Sequence, residues 1–107
     1  MIIYIDADGC AVKDEVYKVA ARYKLRVILV ANKALNHPLD GKIEMQVVSG
    51  GFDAADDWIA ENIGAADILV TSDLFLADRA IKRKARVLGP KGRELTEENI
   101  GNILGTR

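Results

Sequence analysis

Short runs of uninterrupted apolar residues alternate along the chain with longer stretches in which apolar positions recur every three or four residues. The first run, Ile2-Ile3-Tyr4-Ile5, shows no polar alternation, which is the mark of a strand covered on both faces. Comparable runs at 26–31, 45–48, 67–71 and 86–88 predict four more strands, and the cluster Ser49-Gly50-Gly51 halts the third. Between them, Val12, Val16, Val19, Ala20 and Tyr23 give an apolar stripe that predicts a helix over 11–23. Ala55, Trp58, Ile59 and Ile63 predict a second over 53–63, with Gly64 as its C-cap. Leu74, Leu76, Ala77, Ala80 and Ile81 predict a third over 73–84. Thr96 is the expected N-cap of a last helix over 97–104, because Glu97 and Glu98 suit its positive end. The segment 32–42 contains Asn36-His37-Pro38 and Asp40-Gly41 and reads as a loop.

Strand–helix alternation of this kind predicts an α/β fold: a parallel sheet with helices on both faces, a three-layer sandwich. Right-handed crossovers leave few layouts. The doubly-wound order 3-2-1-4-5 puts the first strand at the centre of five and opens a crevice beside it, between strands 1 and 4. At 107 residues the chain is expected to form a single domain, 1–107.

That layout gives the acidic residues a common address. Asp6 and Asp8 follow strand 1; Asp53, Asp56 and Asp57 occupy the first turn after strand 3; Asp73 follows strand 4. All lie at the carboxyl edge of the sheet, where open α/β proteins bind ligands. Positions 53, 56 and 57 share a helix face by their three- and four-residue spacing. Crowded carboxylates repel one another and raise each other's pKa unless a cation compensates. Oxygen ligands suit Mg²⁺ or Mn²⁺, and with one cysteine and one histidine in the chain zinc is disfavoured. The chemistry implied is metal-assisted attack of water on a phosphodiester. Asp53 and Asp73 each have an ordinary alternative as helix N-caps.

Charge adds little: the net charge of −1 does not advertise a nucleic-acid binder. The basic stretch 79–93 could track a phosphate backbone, but solvated helix face is the favoured reading. A lone cysteine excludes an intrachain disulfide, no run is long enough to span a bilayer, and the N-terminus lacks a signal-peptide pattern. A cytoplasmic protein without membrane association is expected.

Five ordered motifs then stand out: Ile5-Asp6-Ala7-Asp8-Gly9-Cys10; Val30-Ala31-Asn32; the segment from Gly51 through Asp53, Asp56 and Asp57 to Ile59; Thr71-Ser72-Asp73-Leu74-Phe75-Leu76-Ala77; and Gly89-Pro90-Lys91-Gly92. In this order they resemble the YaiI/YqxD family, an uncharacterised group regarded as PIN-like, over residues 2 to about 104. The resemblance implies a PIN-like sheet and the site of a metal-dependent ribonuclease. Carried over by position, Asp6, Asp56 and Asp73 would be catalytic, and Asp8 and Asp53 would join them as metal ligands for Mg²⁺ or Mn²⁺. Members of the family have proline after the cysteine, where this chain has Ala11, and commonly continue with a partly basic C-terminal segment beyond the equivalent of Arg107.

Asn32, Thr71 and Ser72 fall at the same edge and are candidate substrate contacts, with satisfaction of local backbone groups as the alternative. Cys10 is expected to be a packed small residue, His37 an ordinary loop residue and Trp58 part of the core. Two other functions compete with the RNA nuclease. Ile3-Tyr4-Ile5-Asp6-Ala7-Asp8-Gly9 also resembles the nucleophile motif of haloacid-dehalogenase-like phosphatases, in which Asp6 would attack phosphate. A non-catalytic PIN-like module that binds metal or nucleic acid is the third.

Overall fold

A computed structural model describes residues 1–7, 13–34, 41–51, 53–90 and 92–103. Strands β1 (Ile2–Asp6), β2 (Arg26–Ala31), β3 (Ile43–Val47), β4 (Ile68–Val70), β5 (Arg86–Leu88) and β6 (Glu94–Leu95) form one sheet in the order 3-2-1-4-5-6. The first five are parallel, with Ile5 level with Leu29 on one side and Val70 on the other. The central place of β1 and its neighbours is as the alternation predicts.

The sixth strand is an addition. Beyond β5 the chain does not simply stop at Gly89: it turns, with Gly92 at φ +83° and the Gly89 amide donating to the Arg93 carbonyl at 2.8 Å. The two-residue β6 then pairs antiparallel with β5, Val87 opposite Leu95. Two residues are too few to show alternation, so only the glycine turn announced it.

Period-two alternation divides the sheet between two cores. Tyr4, Val30, Leu69 and Val87 face α2 (Ala54–Asn62), α3 (Leu74–Lys82) and α4 (Glu97–Ile103). Ile3, Ile5, Val27, Leu29 and Val70 face α1 (Lys13–Tyr23). Trp58 is half-buried and meets Tyr4 edge-on, with ring centroids 6.2 Å apart. On α1, Ala20 is buried and Val16 partly so, but Val19 and Tyr23, expected in the inner stripe, are exposed. The reason is coverage. Helix α1 is the one described helix on its face, and beside it Ile3, Val16, Val19, Ile68, Val70 and Leu88 line a groove of about 510 Å³.

The helix ends follow local chemistry. Thr96 and Asn99 form a reciprocal cap at α4: the Asn99 amide donates to Thr96 Oγ1 at 3.3 Å and the Thr96 amide to Asn99 Oδ1 at 2.8 Å. Helix α2 ends differently from the expectation. Ile63 takes the C-cap position in extended conformation, and the Gly64 amide donates to Asp67 Oδ2 at 3.0 Å. Asp67, in the turn before β4, takes the Gly64 amide, and the last carbonyls of the helix are met by Arg83, which donates to Ile63 and Glu61. Among the described residues, no helix is long and apolar enough to cross a membrane.

Candidate active site

Asp6 is the last residue of β1, so alternation puts it on the Tyr4 side of the sheet, facing α2 and α3. It is 5% exposed, deeply placed for a carboxylate. Thr71, just past β4, is wholly buried and donates from Oγ1 to Asp6 Oδ2 at 2.7 Å. Thr71 Oγ1 in turn accepts from the Asp73 amide at 3.0 Å. One hydroxyl therefore ties the end of β1 to the loop that carries Asp73. A charge-assisted bond of this length is among the stronger ones a neutral side chain makes.

Asp73 settles which alternative applies to it. Its Oδ1 accepts from the amides of Phe75 at 2.9 Å and Leu76 at 3.2 Å, so it does cap α3. Capping and a place in the crevice are not exclusive, because Asp73 also shares a hydrogen bond with the carboxyl of Asp56.

Asp56 arrives from the far side. Gly50 and Gly51, at φ +124° and +118°, turn the chain after β3 through backbone angles that side chains resist. The turn delivers Asp53 and the first turn of α2 to the carboxyl edge. Asp53 occupies the N-cap position of α2 yet makes no capping hydrogen bond, and it is exposed. Asp56, half-buried, has its pKa raised from 3.8 to about 6. Burial contributes most, followed by the charges of Asp6 and Asp73, the hydrogen bond with Asp73, and the charge of Asp53. Asp56 thus feels three other carboxyl groups, from β1, from its own helix start and from the start of α3.

Asp57 goes elsewhere. Helical spacing put it with Asp53 and Asp56, but it pairs with Arg79 of α3 at 3.0 Å. Asn32 and Ser72 are exposed at the same edge, next to β2 and beside Thr71. Thr71 lies behind the carboxylates, its hydrogen committed to Asp6. Asp8, Cys10, Ala11 and His37 lie outside the described residues. The basic stretch is largely engaged: Lys82 with Asp78 and Arg86 with Glu94 as ion pairs, and Arg83 with the carbonyls of Ile63 and Glu61 at the end of α2.

An all-carboxylate donor set suits a hard divalent cation rather than a soft one. Among the described residues, no three acidic, histidine or cysteine side chains stand in ready ligand positions. The oxygen donors of the crevice suit such a cation in kind, while the described side chains are not gathered as ligands around one point.

A family profile described as "Uncharacterized BCR, YaiI/YqxD family" matches residues 4–107. The chain belongs to this family. Similar proteins include a UPF0178 protein of Rhodospirillum centenum, 56% identical over 105 residues, and one of Rhodopseudomonas palustris strain BisB18, 53% identical over 105. The alignments cover 98% of this chain and 68% of each relative. A UPF0178 protein of Caulobacter strain K31 is 51% identical over 106 residues, 99% of this chain and 70% of the relative. No solved structure matches the chain. Family membership thus brings no assigned activity, and the functional reading rests on the site.

One residue at this edge escaped the sequence reading: Phe75, in the first turn of α3, is 72% exposed. Its signal was available, since Phe75 falls outside the apolar stripe formed by Leu74, Leu76, Ala77 and Ala80.

Proposed function

We propose that this YaiI/YqxD protein is a divalent-metal-dependent nuclease that hydrolyses phosphodiester bonds in RNA. What supports the reading is Asp56 of α2, whose burial, together with the charges of Asp6 from β1 and Asp73 at the start of α3, raises its pKa to about 6. Carboxyl groups set against one another in this way are what a cation site presents when no cation is bound.

Asp6, Asp56 and Asp73 are the principal ligands, with Asp53 at the mouth and Asp8 as a further ligand. A bound Mg²⁺ or Mn²⁺ supplies an activated water and neutralises charge on the phosphoryl oxygens. The chain's own part is to position. Thr71 fixes the rotamer of Asp6, and the α3 cap fixes Asp73, so two carboxylates are held on rigid elements before any ligand arrives. Below about pH 6, where Asp56 holds its proton, a cation held by its carboxylate would displace that proton, so binding there would release acid. Asn32 and Ser72, exposed at the rim, are suited to contact the phosphate or sugar.

The test pairs calorimetric titration with Mn²⁺ and cleavage of a labelled RNA panel. Saturable binding with metal-dependent cleavage, both lost in Asp6→Asn, is the expected result. Binding without cleavage on any substrate overturns the nuclease in favour of a non-catalytic module.

A further inference from the structure

We infer that Phe75 is the stacking platform for a nucleobase at the mouth of the acidic crevice. The inference rests on the nuclease reading and adds to it the residue that holds the substrate. Its basis is the way α2 and α3 lie side by side. Arg79 of α3 reaches Asp57 in the first turn of α2, and Arg83, one turn later, reaches the carbonyls of Glu61 and Ile63 at the end of α2. The two cross-links occur in the same order along both helices, so the helices run in the same direction. Positions four apart share a helix face. One turn back from the Arg79–Asp57 pair are Phe75 on α3 and Asp53 on α2. Phe75 therefore stands across from the exposed carboxylate at the crevice mouth.

Its backbone is fixed by the same carboxyl group that lines the site, since the Phe75 amide donates to Asp73 Oδ1 at 2.9 Å. The ring contributes little to the core: Leu76, Ala77 and Ala80 make the buried face of α3, while Phe75 is 72% exposed. A large apolar ring in water beside the carboxyl groups of the crevice is explained if something planar covers it.

Charge points to the same partner chemistry. Of the basic residues of α3, Arg79 is held by Asp57, and Lys82 and Arg83, like Arg86 at the start of β5, lie toward the opposite edge of the sheet, so α3 lends the crevice no basic track. Base stacking supplies binding that is independent of net charge and tolerant of sequence. A nucleotide whose base lies on Phe75 has its phosphate within reach of the neighbouring carboxylates, and an unstacked base is available in a single strand but not in a duplex.

The experiment measures binding of short fluorescent single-stranded RNA by anisotropy in Mn²⁺, with cleavage read in parallel. It uses the wild type, Phe75→Ala, Phe75→Leu and Phe75→Trp, on an intact strand and on one with abasic positions. Phe75→Ala and Phe75→Leu should weaken binding of the intact strand by about 5- to 100-fold. Phe75→Trp should stay within a few-fold of wild type, and on the abasic strand the four proteins should converge. Thermal melting checks that the exposed substitution leaves the fold intact. If Phe75→Ala binds and cleaves the intact strand as wild type does, stacking is overturned while the nuclease stands. If Phe75→Leu binds the intact strand as wild type does, an apolar contact and not stacking holds it, and the inference is overturned. If wild type neither binds nor cleaves any strand, the nuclease reading fails first and the inference falls with it.

Discussion

Replacing Asp56 by asparagine should make the metal-free protein more stable. The carboxyl of Asp56 is raised from 3.8 to about 6 by burial and by Asp6, Asp73 and Asp53. A carboxyl whose folded pKa is raised holds its proton more tightly when folded, so its ionisation destabilises the fold as pH climbs through that window and by a constant amount above it. Undamped, the shift corresponds to about 3 kcal/mol. Because the side chain is only half-buried, solvent screening reduces this to about 1–2 kcal/mol. Asparagine has no charge to lose, and its amide can still donate to Asp73. At pH 8 in EDTA, Asp56→Asn should therefore melt about 4–12 °C higher than wild type. By pH 4.5, where wild type keeps its proton, the gap should shrink to about a third of its value. Differential scanning calorimetry at a series of pH values reads both. A variant equal to or less stable than wild type at pH 8, or a gain independent of pH, would refute the electrostatic reasoning.

Asp6→Asn and Asp73→Asn should each abolish metal-dependent cleavage; Asp73→Asn should also melt within a few degrees of wild type, because asparagine caps helices as well as aspartate. Circular dichroism against gel-based cleavage separates the two effects. Thr71→Val should cost about 2–3 kcal/mol in urea denaturation, since it leaves buried Asp6 without that donor and the Asp73 amide without an acceptor, whereas Thr71→Ser should cost less than about 1.5 kcal/mol. Arg79→Gln should change stability by no more than about 0.5 kcal/mol, as its ion pair with Asp57 is exposed. In Mn²⁺ the order of Asp56→Asn and wild type should reverse at pH 8, because the cation stabilises only the protein that can hold it; melting curves with and without metal check this.

The parallel sheet was legible because its strands are buried on both faces and carry no polar alternation, as in Ile2–Ile5 and Arg26–Ala31. Topology then followed from handedness, and it brought Asp6, Asp56 and Asp73 to one edge before any distance was known. What spacing alone could not deliver was rotation about a helix. Asp56 and Asp57 are neighbours in sequence, yet one turns to the crevice and the other to Arg79, a choice made by the packing of α3 against α2. The exposed positions of Val19 and Tyr23 have a similar origin: an amphipathic stripe shows that a helix has an inner side, not how much of that side its neighbours cover. The role of Thr71 was hidden for another reason. A short hydroxyl at a strand end serves backbone, ligand or side chain equally well, and only the buried contact to Asp6 distinguishes them. The strand β6 was too short to leave a pattern, and the bond from the Gly64 amide to Asp67 depends on a turn between α2 and β4 that no periodicity encodes.

The central claim is that carboxylates remote in sequence form one cation site, and a crystal soaked in Mn²⁺ tests it most directly by anomalous scattering. The expected map holds a manganese peak within coordinating distance of Asp6, Asp56 and Asp73, with the hydrogen bond between Asp56 and Asp73 replaced by bonds to the ion. A map in which the crevice stays bare at saturating Mn²⁺, with Asp56 still bonded to Asp73, would contradict it.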